Sequence, residues 1–300
     1  MNANCGRGPV TETSSDGVFR LLEPANPAAV VIDVSRSGRR YPVEFRPDAP
    51  FNAVHSRISM YVDELLGPAP LVGATLLCAE FPITVIDPNR ACDDMDPTQI
   101  DGDWPAQLNP STQSLKNGAG LIHMVGADKV PLYQRKLRVD EIVQRMSRYY
   151  SPFHDELARL LERAKARHGR VFHLSFHCMS SVDPKAPHGA AAVRPDICLG
   201  DRDGTTCDPG FRSFVEERFR RLGYGVSVNA PFKGSEIMRR YGSPATGTHS
   251  LQVEICKRLF MDESTGERSS SFERLQRELT GVVEAVCSYA TQQIDSRNIQ

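Results

Sequence analysis

The chain has 300 residues, a hydrophobic fraction of 40% and a formal net charge of −1, from 36 Lys and Arg against 37 Asp and Glu. That length buries a substantial core, and the balanced charge excludes a broad nucleic-acid surface, which needs a basic excess. No apolar run approaches the roughly 20 residues of a membrane helix, and the eight scattered cysteines form no CxxC pair, which argues against a zinc ribbon and for reduced thiols.

Residues 1–17 lack the apolar core of a signal peptide and read as a flexible tail on a cytoplasmic protein. A single domain over 18–300 follows. Val18–Ala25 and Ala28–Val34 read as strands, the second with the continuous Val30, Val31, Ile32 run of a fully buried one. Ser35–Phe51 reads as loop. Ser56–Leu66 carries helical spacing through Ile58, Val62, Leu65 and Leu66. Leu71–Ala79 and Ile83–Ile86 are strand candidates. Cys92–Val130 is a long polar segment of the kind that covers a site. Val139–Tyr150 reads as a helix, and Ser151-Pro152 restarts one that ends at Gly169. Arg170–His177 and Tyr224–Val228 read as strands, Pro209–Leu222 and Ser271–Ile294 as amphipathic helices. The alternation predicts an α/β fold with a mixed sheet.

The most informative stretch is Gly247–Met261. It reads as a buried strand with Leu251, Val253 and Ile255 on one face and Ser250, Gln252, Glu254 and Cys256 on the other. A Glu in such a strand needs a partner or a task. His177 ends an apolar strand, where ligands sit in open α/β sheets; a lone His there is more often a hydrogen-bonded structural group. Asp87-Pro88-Asn89-Arg90 can grip a carboxylate through its guanidinium and amide, or form a plain turn. His55 is a candidate metal ligand or an exposed helix-start residue, with Asp63 and Glu64 the nearest carboxylates downstream. Glu254, with His249 five residues earlier, suits a general base or an ion pair with Arg239, Arg240 or Lys257. Together these point to a metal-assisted hydrolase acting on a small acid. No G-x-S-x-G elbow and no G-x-G-x-x-G fingerprint is present.

The ordered set VHS (Val54–Ser56), YVDELL (Tyr61–Leu66), DPNR (Asp87–Arg90), YYSPFHDEL (Tyr149–Leu157), FHCMSS (Phe176–Ser181), LGDRDGTTC (Leu199–Cys207), NAPFKG (Asn229–Gly234) and RRYGSPATGTHSLQVEICKRLFMDE (Arg239–Glu263) resembles the N-formylglutamate amidohydrolase family. The resemblance implies one zinc carboxypeptidase-like α/β domain, a twisted mixed sheet flanked by helices. It implies one zinc ion held by His55, His177 and a carboxylate, with Asp63 the choice and Glu64 a rival. It further implies Glu254 as general base, Asn89 and Arg90 on the substrate carboxylate, and His249, Lys233 and Arg239 along the pocket. The partner is a small N-acyl amino acid such as N-formylglutamate; no nucleic acid or membrane is expected, and the oligomeric state is open. The chain departs from the pattern. Pro-His-Ser-Gly is matched by Val54-His55-Ser56-Arg57, and Ser59, Ser175, Cys178 and Ile83 stand where Asp, Asp, Ser and Arg are expected. These departures leave open another N-acyl or N-carbamoyl substrate, or a non-catalytic relative that binds an acidic ligand.

Overall fold

Aliphatic and β-branched runs build the centre of the molecule, described by a computed structural model over residues 9–183 and 193–295. The strands are β1 (Val10–Ser15), β2 (Phe19–Pro24), β3 (Val30–Val34), β4 (Thr75–Ala79), β5 (Ile100–Asp101), β6 (Leu137–Arg138), β7 (Val171–Met179), β8 (Ile197–Gly200), β9 (Val226–Val228) and β10 (Thr248–Cys256). The helices are α1 (Phe51–His55), α2 (Val62–Leu65), α3 (Thr112–Asn117), α4 (Val139–Arg145), α5 (Ser151–His168), α6 (Pro209–Arg221), α7 (Glu236–Tyr241) and α8 (Phe272–Asp295). Apart from the short β5–β6 pair, the strands form one eight-stranded sheet in the order β1-β2-β4-β3-β7-β10-β8-β9. The central β4, β3, β7 and β10 run parallel, β1 and β2 continue one edge antiparallel, and β8 is antiparallel to β10.

Both faces of the central strands are covered, as a parallel sheet requires. On one face Ile32, Leu76, Leu174, Phe176, Leu251, Val253 and Ile255 meet Phe211, Val215 and Phe219 of α6 and Leu275, Leu279, Val283 and Val286 of α8. On the other, Val31, Leu77 and Val171 meet Phe153, Leu157, Leu160 and Leu161 of α5 and Ile237 and Met238 of α7. Each fully buried aliphatic or aromatic side chain contributes about 1.5–3 kcal/mol. Among the described residues no helix is long and apolar enough to cross a membrane. Cys78, Cys92, Cys178, Cys198, Cys207, Cys256 and Cys287 are free thiols.

Several elements differ from the sequence expectation. Val10–Ser15 is a strand, because its alternating VTETSS pairs residue for residue with β2. Of the expected helix Ser56–Leu66 only α2 is helical, starting after Tyr61 at φ 65°; α1 lies upstream of that range. Leu71–Ala79 begins as a 3₁₀ turn and becomes extended only past Gly73, at φ 104°. Ile83–Ile86 is buried but turned, closed by Val85 N to Pro82 O. α5 begins at Ser151-Pro152 and ends before Gly169 as expected, but without a Ser cap, since Tyr150 before it is already helical. A π turn over Met146–Tyr150 joins α4 to α5 and absorbs the amide hydrogen that Pro152 lacks. Ile197–Gly200, too short to show a period, adds a strand beside β10. The long segment 92–130 holds α3 and two 3₁₀ turns.

Candidate active site

Parallel pairing of β7 with β10 sets His177 beside Glu254, Ser175 beside Gln252 and His173 beside Ser250. The side chains of this row are buried, so each must find a partner. At the inner end His173 bridges Ser250 Oγ (3.0 Å) and Asp33 Oδ1 (2.9 Å), which ties β3, β7 and β10 together. At the carboxyl end the hydrogen bonds have a direction. Asn89 Oδ1 accepts from the Ile237 amide at 3.0 Å, so its Nδ2 is the atom that faces His177 Nε2 (3.3 Å) and Gln252 Oε1 (3.4 Å). Gln252 Oε1 also accepts from the Ser235 amide at 3.3 Å, which leaves Gln252 Nε2 to donate to Glu254 Oε1 at 2.9 Å. His177 Nε2 therefore accepts, from Asn89 and from Ser175 Oγ (3.0 Å), and the neutral ring carries its proton on Nδ1. Burial pushes His177 down to about 4, so neutral is its state near pH 7. Burial pushes the Glu254 carboxyl up to about 7, against the pull of Arg36 and Arg194.

Asp87 is the second hub. Its carboxylate accepts from Arg36 Nε (3.1 Å) and Arg36 Nη2, from His123 Nε2 (3.1 Å) and from the Asn89 amide (3.0 Å). Burial opposes its charge, yet Arg36 and His123 hold it well below the usual carboxylate range. His123 itself is pushed down to about 4 by burial. Arg57, Arg90 and Arg194 stand around this hub and Glu254, each with a buried Nε that has no hydrogen-bond partner among the described residues. Arg57 and Arg194 also line a cavity of about 940 Å³, with Ile122, Met124, Lys129 and Phe232 in its wall. The site is a buried carboxyl that feels the charge of Arg36 and Arg194, and Arg194 in turn lines a basic, partly apolar hollow.

The structure brings Asn89, Arg90, His177 and Glu254 into one neighbourhood, and separates the other expected residues from it. His55 Nδ1 is paired with Tyr41 OH at 3.0 Å and its ring stacks on Phe51. Asp63 is held by Arg39 at 2.8 Å, a pair that Glu64 shares at 3.0 Å. His249 lies on the apolar face of β10, stacked on Phe172 and accepting from the Asp208 amide at the start of α6; alternation sends it away from Glu254. Lys233 pairs with Asp203 and Arg239 with Glu236, both on the surface. Asn89 spends its amide on Ile237, His177 and Gln252, so it positions the site, and Arg90 Nε lies 3.8 Å from Asp87 Oδ2.

Residues 28–261 match the family profile described as N-formylglutamate amidohydrolase. The chain belongs to this family. Members of the N-formylglutamate amidohydrolase family are amide-cleaving hydrolases. The chain is 29% identical over 206 residues to an N-formylglutamate deformylase of Pseudomonas aeruginosa, covering 68% of this chain and 70% of the relative. A second N-formylglutamate deformylase, from Pseudomonas putida, is 29% identical over 211 residues, again 68% and 70% of the two chains. The fold superposes on a crystal structure of N-formylglutamate amidohydrolase from Ralstonia eutropha with a TM-score of 0.87 and 38% identity, covering 93% of this chain and 100% of that one.

Zinc carried by an enzyme needs three side-chain donors around one point. The expected set of His55, Asp63 and His177 does not assemble. Among the described residues no three His, Cys, Asp or Glu side chains come together to hold a metal. Asp87 is saturated, and His177 keeps only a protonated Nδ1 free. The donor set does not fit zinc. Sequence reasoning also missed Arg36, which follows β3 in Ser35-Arg36-Ser37-Gly38. That segment keeps the Ser-Gly half of the Pro-His-Ser-Gly pattern, with Arg36 in the His position. Gly38 is required there: a Cβ would fall 2.1 Å from the Phe81 carbonyl oxygen. The signal lay in a Ser-Gly pair directly after the most apolar strand.

Proposed function

We propose that this chain hydrolyses the N-formyl, or another small N-acyl, amide of an acidic amino acid, with N-formylglutamate as the leading substrate, giving formate and glutamate. The observation that carries this reading is Glu254, buried, poised at about 7 and oriented by Gln252, facing a cluster of arginines. A carboxylate near its midpoint at neutral pH suits proton transfer in both directions. Glu254 takes a proton from water as the water oxygen adds to the acyl carbon. The same proton then passes to the amide nitrogen, the C–N bond breaks, and the acid and the free amine leave. Arg36 faces the developing oxyanion, and Arg90 with Arg57 or Arg194 meets the substrate carboxylates. No step is routed through a metal, because the donors present do not fit one.

Release of the free amino acid from a panel of N-formyl, N-acetyl and N-carbamoyl amino acids, with formate measured for the N-formyl members, tests the reading. Turnover of an N-formyl or N-acyl acidic amino acid, abolished in Glu254→Gln, supports it. Equal rates in wild type and Glu254→Gln would refute it. A second reading, favoured by the guanidinium standing in the His position, is an acidic-ligand binder without turnover. It gives saturable glutamate-type binding and no formate.

A further inference from the structure

We propose that Arg36 is the resident cation of this site, so that a fixed guanidinium takes the place of a divalent metal ion and the chain works without one. The argument begins with place. Arg36 lies two residues past β3, whose neighbour in the sheet is β7, and β7 in turn carries His177 beside Glu254. Its main chain is pinned, since Arg36 O accepts from the Ser59 amide at 2.9 Å and Ser37 Oγ donates to Ser59 O at 2.6 Å. Its side chain is pinned by a fork on both oxygens of Asp87. The side chain is 22% exposed, and the fork on Asp87 uses only Nε and Nη2.

Charge completes the argument. Asp87, Glu254 and His177 all sense the positive charge of Arg36. The carboxylates that a metal would recruit are thus already compensated, one by a direct ion pair. A divalent ion would have to break that pair and sit against a guanidinium that cannot lose its proton. The same delocalised charge does for a carbonyl what a Lewis acid does: it favours negative charge on the oxygen without any proton moving.

The catalytic half of this inference rests on the hydrolase reading; the metal half does not, and the experiment separates them. Purified full-length chain is titrated with zinc by calorimetry and weighed by native mass spectrometry, in parallel with Arg36→His and Arg36→Gln. The expected result is no stoichiometric zinc on the wild type and one zinc per chain on Arg36→His. Stoichiometric zinc on the wild type overturns the proposal whether or not any amide is turned over. Formate release is then followed with and without a chelator. Unchanged rates support the proposal and loss of rate overturns it. Arg36→Gln is expected to lower kcat by about 10²–10³ with little change in KM, as for loss of an oxyanion donor, and Arg36→Lys to recover part of it. Should the wild type lack turnover altogether, the function reading fails and the zinc titration alone decides the role of Arg36. Should Arg36→His fail to fold, the wild-type titration and Arg36→Lys carry the test.

Discussion

Replacing Glu254 by Gln should make the protein more stable at high pH while silencing it. The carboxyl ionises near 4.5 in the unfolded chain and near 7 when buried between Gln252 and the arginines. As pH rises from about 4.5 to about 7, the folded protein keeps a proton that the unfolded chain has released, so stability falls through that window. At about 1.4 kcal/mol per pH unit, the loss is of the order of 3 kcal/mol, complete somewhat above 7. His177 and His123 act oppositely. Their folded values, about 4 each, lie below the ordinary 6.5, so they add stability above 6.5 that is lost as pH falls toward 4. The difference between wild type and Glu254→Gln cancels those histidine contributions and isolates the carboxyl. Urea unfolding at intervals between about pH 5 and about pH 8 measures it. The variant should gain on the wild type as pH rises, by about 2–3 kcal/mol across the range. A gap that stays constant with pH would refute the claim that burial has raised this carboxyl.

The same residues make further outcomes measurable. Arg57→Ala and Arg194→Ala should each raise KM for acidic substrates about 10–100-fold, the worth of one charge-assisted contact, with much less effect on neutral N-acyl amides. Gly38→Ala should cost about 3 kcal/mol or more in urea unfolding, because its new methyl meets the Phe81 carbonyl at 2.1 Å. His154→Leu should cost about 1–3 kcal/mol, because it leaves Pro88 O (2.9 Å) without its donor, whereas Tyr241 OH keeps its bond to the backbone carbonyl of residue 154 (3.0 Å); loss of the Pro88 tether should also lower turnover, since Asn89 follows it.

Legibility in the sequence tracked how locally each feature is determined. β10 was readable because the alternation of Leu251, Val253 and Ile255 with Ser250, Gln252 and Glu254 is a local pattern, though the strand stops at Cys256 where the stretch was read to Met261. α5, α6 and α8 were readable from their apolar stripes and glycine or proline ends. β8 and β1 were not, since one is short and the other is polar; only their neighbours in the sheet make them strands. Within the site, Glu254 and His177 stood toward the ends of strands, Asn89 and Arg90 followed a buried apolar turn, and all four drew attention by type. Arg36 stood in an Arg-rich loop and was indistinguishable from a solvated cation until β3 placed it beside Asp87. His55 misled because a histidine after an apolar run looks like a ligand wherever the fold later puts it. His249 misled for a different reason: its distance from Glu254 along the chain is short, but an odd number of steps along a strand ends on the opposite side.

The two-sided character of β10 divides the freedom of this protein to change. Its odd positions belong to the helices beneath, and Ser250, Gln252 and Glu254 to the hydrogen-bonded row of the site. A substitution at Gln252 therefore acts on the orientation of Glu254 and leaves the apolar packing beneath untouched. An inserted or deleted residue within the strand would exchange the two roles at a stroke, and no stepwise path leads through it.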